Sequence, residues 1–217
     1  GLVRVLRAEA LLPENVELIH ADAAAMDLAE LIRGIRGSVR VVANLPFSVA
    51  TPLLRRLLDL RECLADWSVM VQREVGTRIT ASTGGRDYGS LAILHAMTVT
   101  ARQVTDIGSG SFYPAPRVRS SFLRIQPLPQ PRLQPGELED LERVVRAAFN
   151  QRRKMIGNSL RSAGFGPAPQ LEALLGEAGI ASSDRPQHVD PERWQLLARG
   201  MAAAGMLAGS PEGNALR

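Results

Sequence analysis

Cysteine is almost missing from this chain of 217 residues, with Cys63 the only example. One thiol cannot close an intramolecular disulfide, and in its helical setting it reads as a packing residue, so a reducing, cytoplasmic environment is expected. Lysine is as scarce. Lys154 stands alone among 26 basic residues, the rest being arginine. A GC-rich genome produces the same bias, so a net charge of +4 leans toward a polyanionic partner without demanding one. No apolar run approaches the ~20 residues of a membrane span, and no basic stretch followed by an apolar one opens the chain. No internal repeat is present. The G-x-G at Gly108-Ser109-Gly110 runs into prolines instead of a helix, so it is not a dinucleotide-type phosphate loop.

With 45% hydrophobic residues the chain can bury a substantial core. Its apolar pattern alternates between helical and strand periods. Residues 1–12 read as a helix, 15–22 as a strand, 26–35 as a short helix and 39–43 as a buried strand. Thr51 and Pro52 read as the N-cap and first position of a helix to residue 60. A strand at 67–72, a helix at 73–82, a polar loop, a helix at 90–98 and strands at 99–107 and 118–126 follow. The last two strands are expected to pair antiparallel in an otherwise mainly parallel sheet. The run PLPQPRLQPG is a linker, and beyond it only helical patterns occur, at 136–150, 152–162, 169–178 and 190–204. The expected organisation is an α/β domain over 1–127, a proline-rich linker over 128–136 and a small all-helical domain over 137–217, with a disordered tail.

The stretch VVANLPFSVA carries the sharpest chemical signal. A buried strand stops on Asn44, Pro46 bars further pairing, and a helix follows, which is the sheet edge where α/β proteins bind ligands. The exocyclic amine of adenine is a poor nucleophile because its lone pair is delocalised into the ring. An Asn side-chain oxygen and a backbone carbonyl beside a proline can accept its two hydrogens and so aim that lone pair at an electrophile. Phe47 can stack on the unstacked base, a contact worth about 1–3 kcal/mol. On these four residues alone, a turn cap and a core phenylalanine is an equal reading.

Two further segments add weight. Phe112 sits in the proline-stiffened stretch SFYPAPRVRSSF and could form a second wall of a base pocket, although a core phenylalanine in a turn is by itself the commoner meaning. Residues 144–161 gather Arg146, Arg152, Arg153, Lys154 and Arg161 with no acidic residue among them, which suits phosphate contact better than a mixed surface does.

In this order NLPFSVATPLL, VQREVGTRITASTGGRDYGSLAIL, FYPAPRVRSSFLRI and AFNQRRKMIGNSL resemble the motifs of the small-subunit ribosomal RNA adenine dimethyltransferases, the KsgA family. The likeness runs from about Asn15 to the helix around Trp194. It implies a Rossmann-like class I methyltransferase sheet using S-adenosylmethionine. The implied reaction is dimethylation of N6 of two adjacent adenosines in the 3′-terminal hairpin of small-subunit rRNA, coupled to assembly of the immature small subunit. No metal and no membrane are expected, and the chain is expected to be a monomer. Carried over by motif, Asn44, Leu45 and Pro46 hold the adenine amine, Phe47 stacks on the base and Phe112 lines the pocket. Asp22, beside Ala23, would hydrogen-bond the cofactor's adenine, with Asn44 adjoining both ligands.

Three positions depart from the pattern: Phe47 where Tyr is commoner, Arg119 where an acid is usual, and Gly157 where a base is usual. Gly157 is expected to loosen its helix by about 1 kcal/mol relative to Ala. The expected opening strand, glycine-rich turn and second acidic strand are not found. The chain therefore reads as most of such an enzyme without its first several dozen residues, expected to hold the cofactor poorly by itself. Two alternatives remain: a non-catalytic RNA-binding module for ribosome assembly, and a large-subunit rRNA methyltransferase of the macrolide-resistance type. The FNQRRK stretch argues against the second.

Overall fold

Strand β1 (Val39–Asn44) alternates sides: Val39, Val41 and Ala43 turn inward, while Arg40, Val42 and Asn44 face solvent. That period of two makes one face of the sheet apolar and leaves the other wet. In the computed structural model, which describes residues 2–8 and 11–207, β1 pairs in parallel with β2 (Leu64–Gln72). Strand β4 (Ser120–Pro127) lies antiparallel to β2, and β3 (Val99–Ile107) antiparallel to β4. The sheet order is β1-β2-β4-β3. Three strands thus run one way and β4 alone runs back, so the sheet is mixed, with one parallel pairing. The antiparallel final pair is as the sequence implies.

Trp67, Val69 and Val71 of β2 and Leu123 and Ile125 of β4 are fully buried on the helix side. Helix α3 (Ala50–Asp59) brings Leu53, Leu54, Leu57 and Leu58 to the core, the spacing of an amphipathic helix. Helix α5 (Ser90–Thr98) is buried on nearly every side, which fits its almost wholly apolar sequence. It lies between the sheet and the carboxy-terminal helices α6 (Glu137–Phe149) and α9 (Pro191–Ala203). One continuous apolar core therefore runs from Leu45 to Leu207. The loop after α4 (Arg73–Ile79) is clamped to the helical region. There the Tyr88 hydroxyl donates to the Val189 carbonyl at 2.8 Å and the Gly84 N–H to the Gln187 carbonyl at 2.7 Å. Phe149 stands between Tyr88 and Trp194, with ring centroids 6.2 and 6.0 Å away.

Several elements differ from expectation for identifiable reasons. Residues 16–20 form no strand, because a strand needs a hydrogen-bonded neighbour and the described sheet ends at β1. The first helix, α1, spans Leu2–Ala8, and the tail from residue 208 lies outside the described residues. Helix α2 covers Leu28–Arg33 under an Asp27 cap. Helix α3 begins at Ala50 after Val49, so Thr51 and Pro52 sit inside its first turn, where a missing N–H costs nothing. The helix expected at 152–162 starts at Ile156 as α7 (Ile156–Ser162), because Met155 is extended and residues 151–154 form a turn. Helix α8 (Ala168–Glu177) completes the set.

Gly157 has a purpose its helix propensity hides. Its N–H donates to the Ser182 carbonyl at 3.0 Å, and an added Cβ would lie 2.9 Å from the Ser182 Cβ. Gly157→Ala gains about 1 kcal/mol of propensity but overpacks a buried contact costing about 1–3 kcal/mol. The variant is expected to lose stability in urea unfolding, whereas a gain would show that segment 182 yields freely. A second prediction concerns His95, which is 1% exposed. Burial, reinforced by nearby Arg55, pushes its pKa down to about 4, despite a bond between Nδ1 and the Leu91 carbonyl at 2.8 Å. The unfolded chain then binds a proton that the folded chain refuses between pH 6.5 and about 4, so stability falls as pH drops through that window. His95→Leu is expected to flatten the decline, measured as unfolding free energy against pH, by about 2–4 kcal/mol over the window.

Candidate active site and nucleic-acid interface

Asn44 is the last residue of β1, opposite Met70 and exposed. Leu45 is 7% exposed, and its N–H donates to the Met70 carbonyl at 3.1 Å, continuing the parallel ladder by one bond before Pro46 ends it. The Pro46 carbonyl accepts the Val49 N–H at 3.1 Å, closing a turn that delivers the chain into α3. That leaves the Leu45 carbonyl without a partner among the described contacts. Phe47 is 42% exposed, a large ring held out toward solvent instead of filling the core.

Phe112 lies on the loop joining β3 to β4 and is half-buried, with its N–H bonded to the Ser109 carbonyl at 3.2 Å. The register places Ile107 and Gln72 beside Ser120, so this loop and the Asn44 loop emerge from the same end of the sheet. The intervening strands separate their roots by roughly 10–14 Å at normal strand spacing. Asp106 stiffens the base of the loop. It accepts from Ser121 Oγ at 2.6 Å and Gln103 Nε2 at 2.7 Å, and it pairs with Arg73 at 3.4 Å. Among the described aromatic pairs neither Phe47 nor Phe112 takes part, so neither ring is occupied by another. Tyr113, fully exposed beside Phe112, is an available ring that sequence reasoning passed over although it stands in the same proline-rich stretch.

Asp22 opens a tight turn. Its Oδ1 accepts the Ala24 N–H at 2.8 Å, and its backbone carbonyl accepts those of Ala25 at 3.0 Å and Met26 at 2.9 Å. The turn is stapled to α3 by Arg56, which donates to the carbonyls of Ala23 at 2.9 Å, Ala24 at 2.8 Å and Met26. Nothing in the sequence singled out Arg56, because a guanidinium serving backbone carbonyls leaves no local pattern. Asp22, Ala23 and Asn44 suit the adenine end of a nucleoside cofactor, since the second Asp22 oxygen has no described partner and can accept from an amine. No strand-to-helix glycine-rich turn is found among the described residues, so no residue identified here holds the remaining parts of such a cofactor.

The basic residues do not share one helical face. Arg146 is on α6, 3.3 Å from Glu142. Arg152 donates to the carbonyls of Gly85, at 3.2 Å, and Arg86, and thereby helps to clamp the 82–89 loop. Arg161 is bonded to Asn158 at 2.5 Å and lies 3.5 Å from Glu172. Arg153 and Lys154 are exposed on the turn after α6 and have no ion-pair partner among the described residues. Residues 149–154 line a shallow cavity of about 430 Å³ there.

The layered, mixed sheet has the Asn44 and Phe112 loops at one end, and its family and structural likenesses make it a Rossmann-like α/β fold of the S-adenosylmethionine-dependent methyltransferase class. Residues 1–201 match the family model described as ribosomal RNA adenine dimethylase, and the chain belongs to that family. It is 43% identical over 196 residues to a ribosomal RNA small subunit methyltransferase A from Paracoccus denitrificans, with 88% of this chain and 66% of that protein covered. The chain thus spans just under two thirds of that relative's length. Its fold is like that of a dimethyladenosine transferase from Plasmodium falciparum, with a TM-score of 0.72 and 19% identity over 92% of this chain and 77% of the other. It is also like the 23S rRNA methyltransferase ErmE, with a TM-score of 0.61 and 22% identity over 93% and 78% of the two chains.

Arg56→Ala should release the 22–26 turn. Hydrogen exchange at Ala24, Ala25 and Met26 is expected to rise at least tenfold, with about 1–3 kcal/mol lost from global stability. Unchanged protection would mean the turn holds itself.

Proposed function

We propose that this chain is the larger part of an enzyme that dimethylates N6 of two adjacent adenosines in the 3′-terminal hairpin of small-subunit ribosomal RNA. In this reading the enzyme acts as a cytoplasmic monomer on the immature small subunit. The observation that supports the reading is the end of β1, where Asn44 closes the strand, the Leu45 carbonyl has no partner among the described contacts and Phe47 is exposed, in a member of the ribosomal RNA adenine dimethylase family. In the first transfer Asn44 Oδ1 and the Leu45 carbonyl each accept one hydrogen of the adenine amine, turning its lone pair outward, and in the second one of them holds the single hydrogen that remains. Pro46 stiffens the loop, so these acceptors are in place before the base arrives, and Phe47 and Phe112 flank the ring by stacking. S-adenosylmethionine, when bound, supplies the electrophilic methyl group. Each transfer frees one proton from the amine, and the acceptors orient that group without needing to be strong bases.

Holding the RNA falls to the helical region over 137–217. Arg153 and Lys154, on an exposed turn and without an ion-pair partner among the described residues, are the best placed for phosphates. Arg152 and Arg161 chiefly hold the fold together.

The test is transfer of labelled methyl groups from S-adenosylmethionine to unmethylated small subunits, with sites mapped by primer extension. Asn44→Ala is expected to cut transfer by at least about 10²-fold with its melting curve unchanged. Near-normal transfer in that variant would sink the mechanism. Label appearing instead in large-subunit RNA would replace the substrate, and RNA binding with no transfer by the wild-type chain would favour a binding module.

A further inference from the structure

The cleft between α3, α5 and α6 lies apart from the Asn44 and Phe112 loops and has been given no ligand of its own. It measures about 420 Å³ and is walled by Arg55, Arg56, Arg78 and Arg146, with Glu142 its only acidic lining residue and His95 at its edge. Two helices start at its rim, with Thr51 and Pro52 in the first turn of α3 and Ser90 and Leu91 in that of α5. Neither start has a side-chain cap, which leaves first-turn amides and the positive ends of both helices to an outside acceptor.

The arginines are not equivalent. Arg55 is held by Asp59 and Glu142, each at 2.5 Å, and Arg56 serves the 23–26 carbonyls. Arg78 is exposed and has no ion-pair partner among the described residues. Arg146 touches Glu142 yet keeps its side chain 64% exposed. His95 closes the edge of the cleft from inside the core: it is 1% exposed and its Nδ1 is bonded to the Leu91 carbonyl at 2.8 Å. Position supports the same chemistry. Helix α3 starts where the Asn44 loop ends, and Arg146 leads along α6 to the exposed basic turn at 151–154.

We propose that this cleft seats a backbone phosphate of the RNA strand whose adenosine enters the Asn44 loop, held by Arg78, Arg146 and the first turns of α3 and α5. The inference rests on the RNA-modifying reading above and names a further subsite for it.

The test is binding of a fluorescently labelled 3′-terminal hairpin of small-subunit rRNA to the full chain at several salt concentrations, alongside Arg78→Ala and Thr51→Glu. The second variant favours its helix, because an acid suits an N-terminal turn, while placing a negative charge in the cleft. With thermal melts unchanged, both variants are expected to raise Kd about five- to tenfold. Arg78→Ala should also lower the slope of log K against log salt by about one phosphate contact. A wild-type Kd in either variant would overturn the assignment of the cleft. Failure of the wild-type chain to bind the hairpin would instead fell the RNA-modifying reading, and the subsite with it.

Discussion

The parallel pairing of β1 with β2, ended by the bond from Leu45 N–H to the Met70 carbonyl, is the constraint on which the site depends. It fixes the height at which the chain leaves the sheet. Pro46 forbids another rung, the Val49 N–H closes onto the Pro46 carbonyl, and α3 departs at once with four leucines committed to the core. Asn44 and the Leu45 carbonyl are therefore placed by a strand, a buried side chain and a helix together. A loop free to move could not keep two such acceptors at a fixed spacing, which the proposed chemistry requires.

Arginine performs two kinds of work in this chain, and burial of its partners separates them. Arg56 donates to backbone carbonyls and fastens the 22–26 turn to α3, and Arg152 does the same for the 82–89 loop. Arg55 pairs with two carboxylates between α3 and α6. Arg78, Arg153 and Lys154 have no such partners among the described residues and are exposed. A guanidinium with five donors suits the first task as well as it suits phosphate. Counting positive charge along the sequence therefore overstates the surface available to a polyanion.

The sheet and its site were legible where local pattern and tertiary outcome coincide. The β-branched run into Asn-Leu-Pro-Phe reads as a strand, a turn and a helix because pairing, the proline and the leucine spacing all agree. Residues 16–20 have a strand's composition but no strand beside them, and pairing is a property of neighbours that sequence does not carry. The basic stretch looked like one helical face because nothing local announces that Met155 is extended. Gly157 looked like a weak point in a helix because the segment it must admit, at Ser182, lies far along the chain. Arg56 was invisible for the same reason, since its acceptors are carbonyls some thirty residues away.

The core is continuous from Leu45 to Leu207, and Tyr88, Gly84 and Arg152 tie the sheet side to the helical side at three separate points. The exposed turn at Arg153 and Lys154 and the loop at Asn44 are thus two marks on one packed body. A ligand gripped at the turn presents to the loop whichever of its groups lies at that fixed distance. Selection among chemically identical groups along a repeating polymer can then be made by length, without any contact that reads their identity.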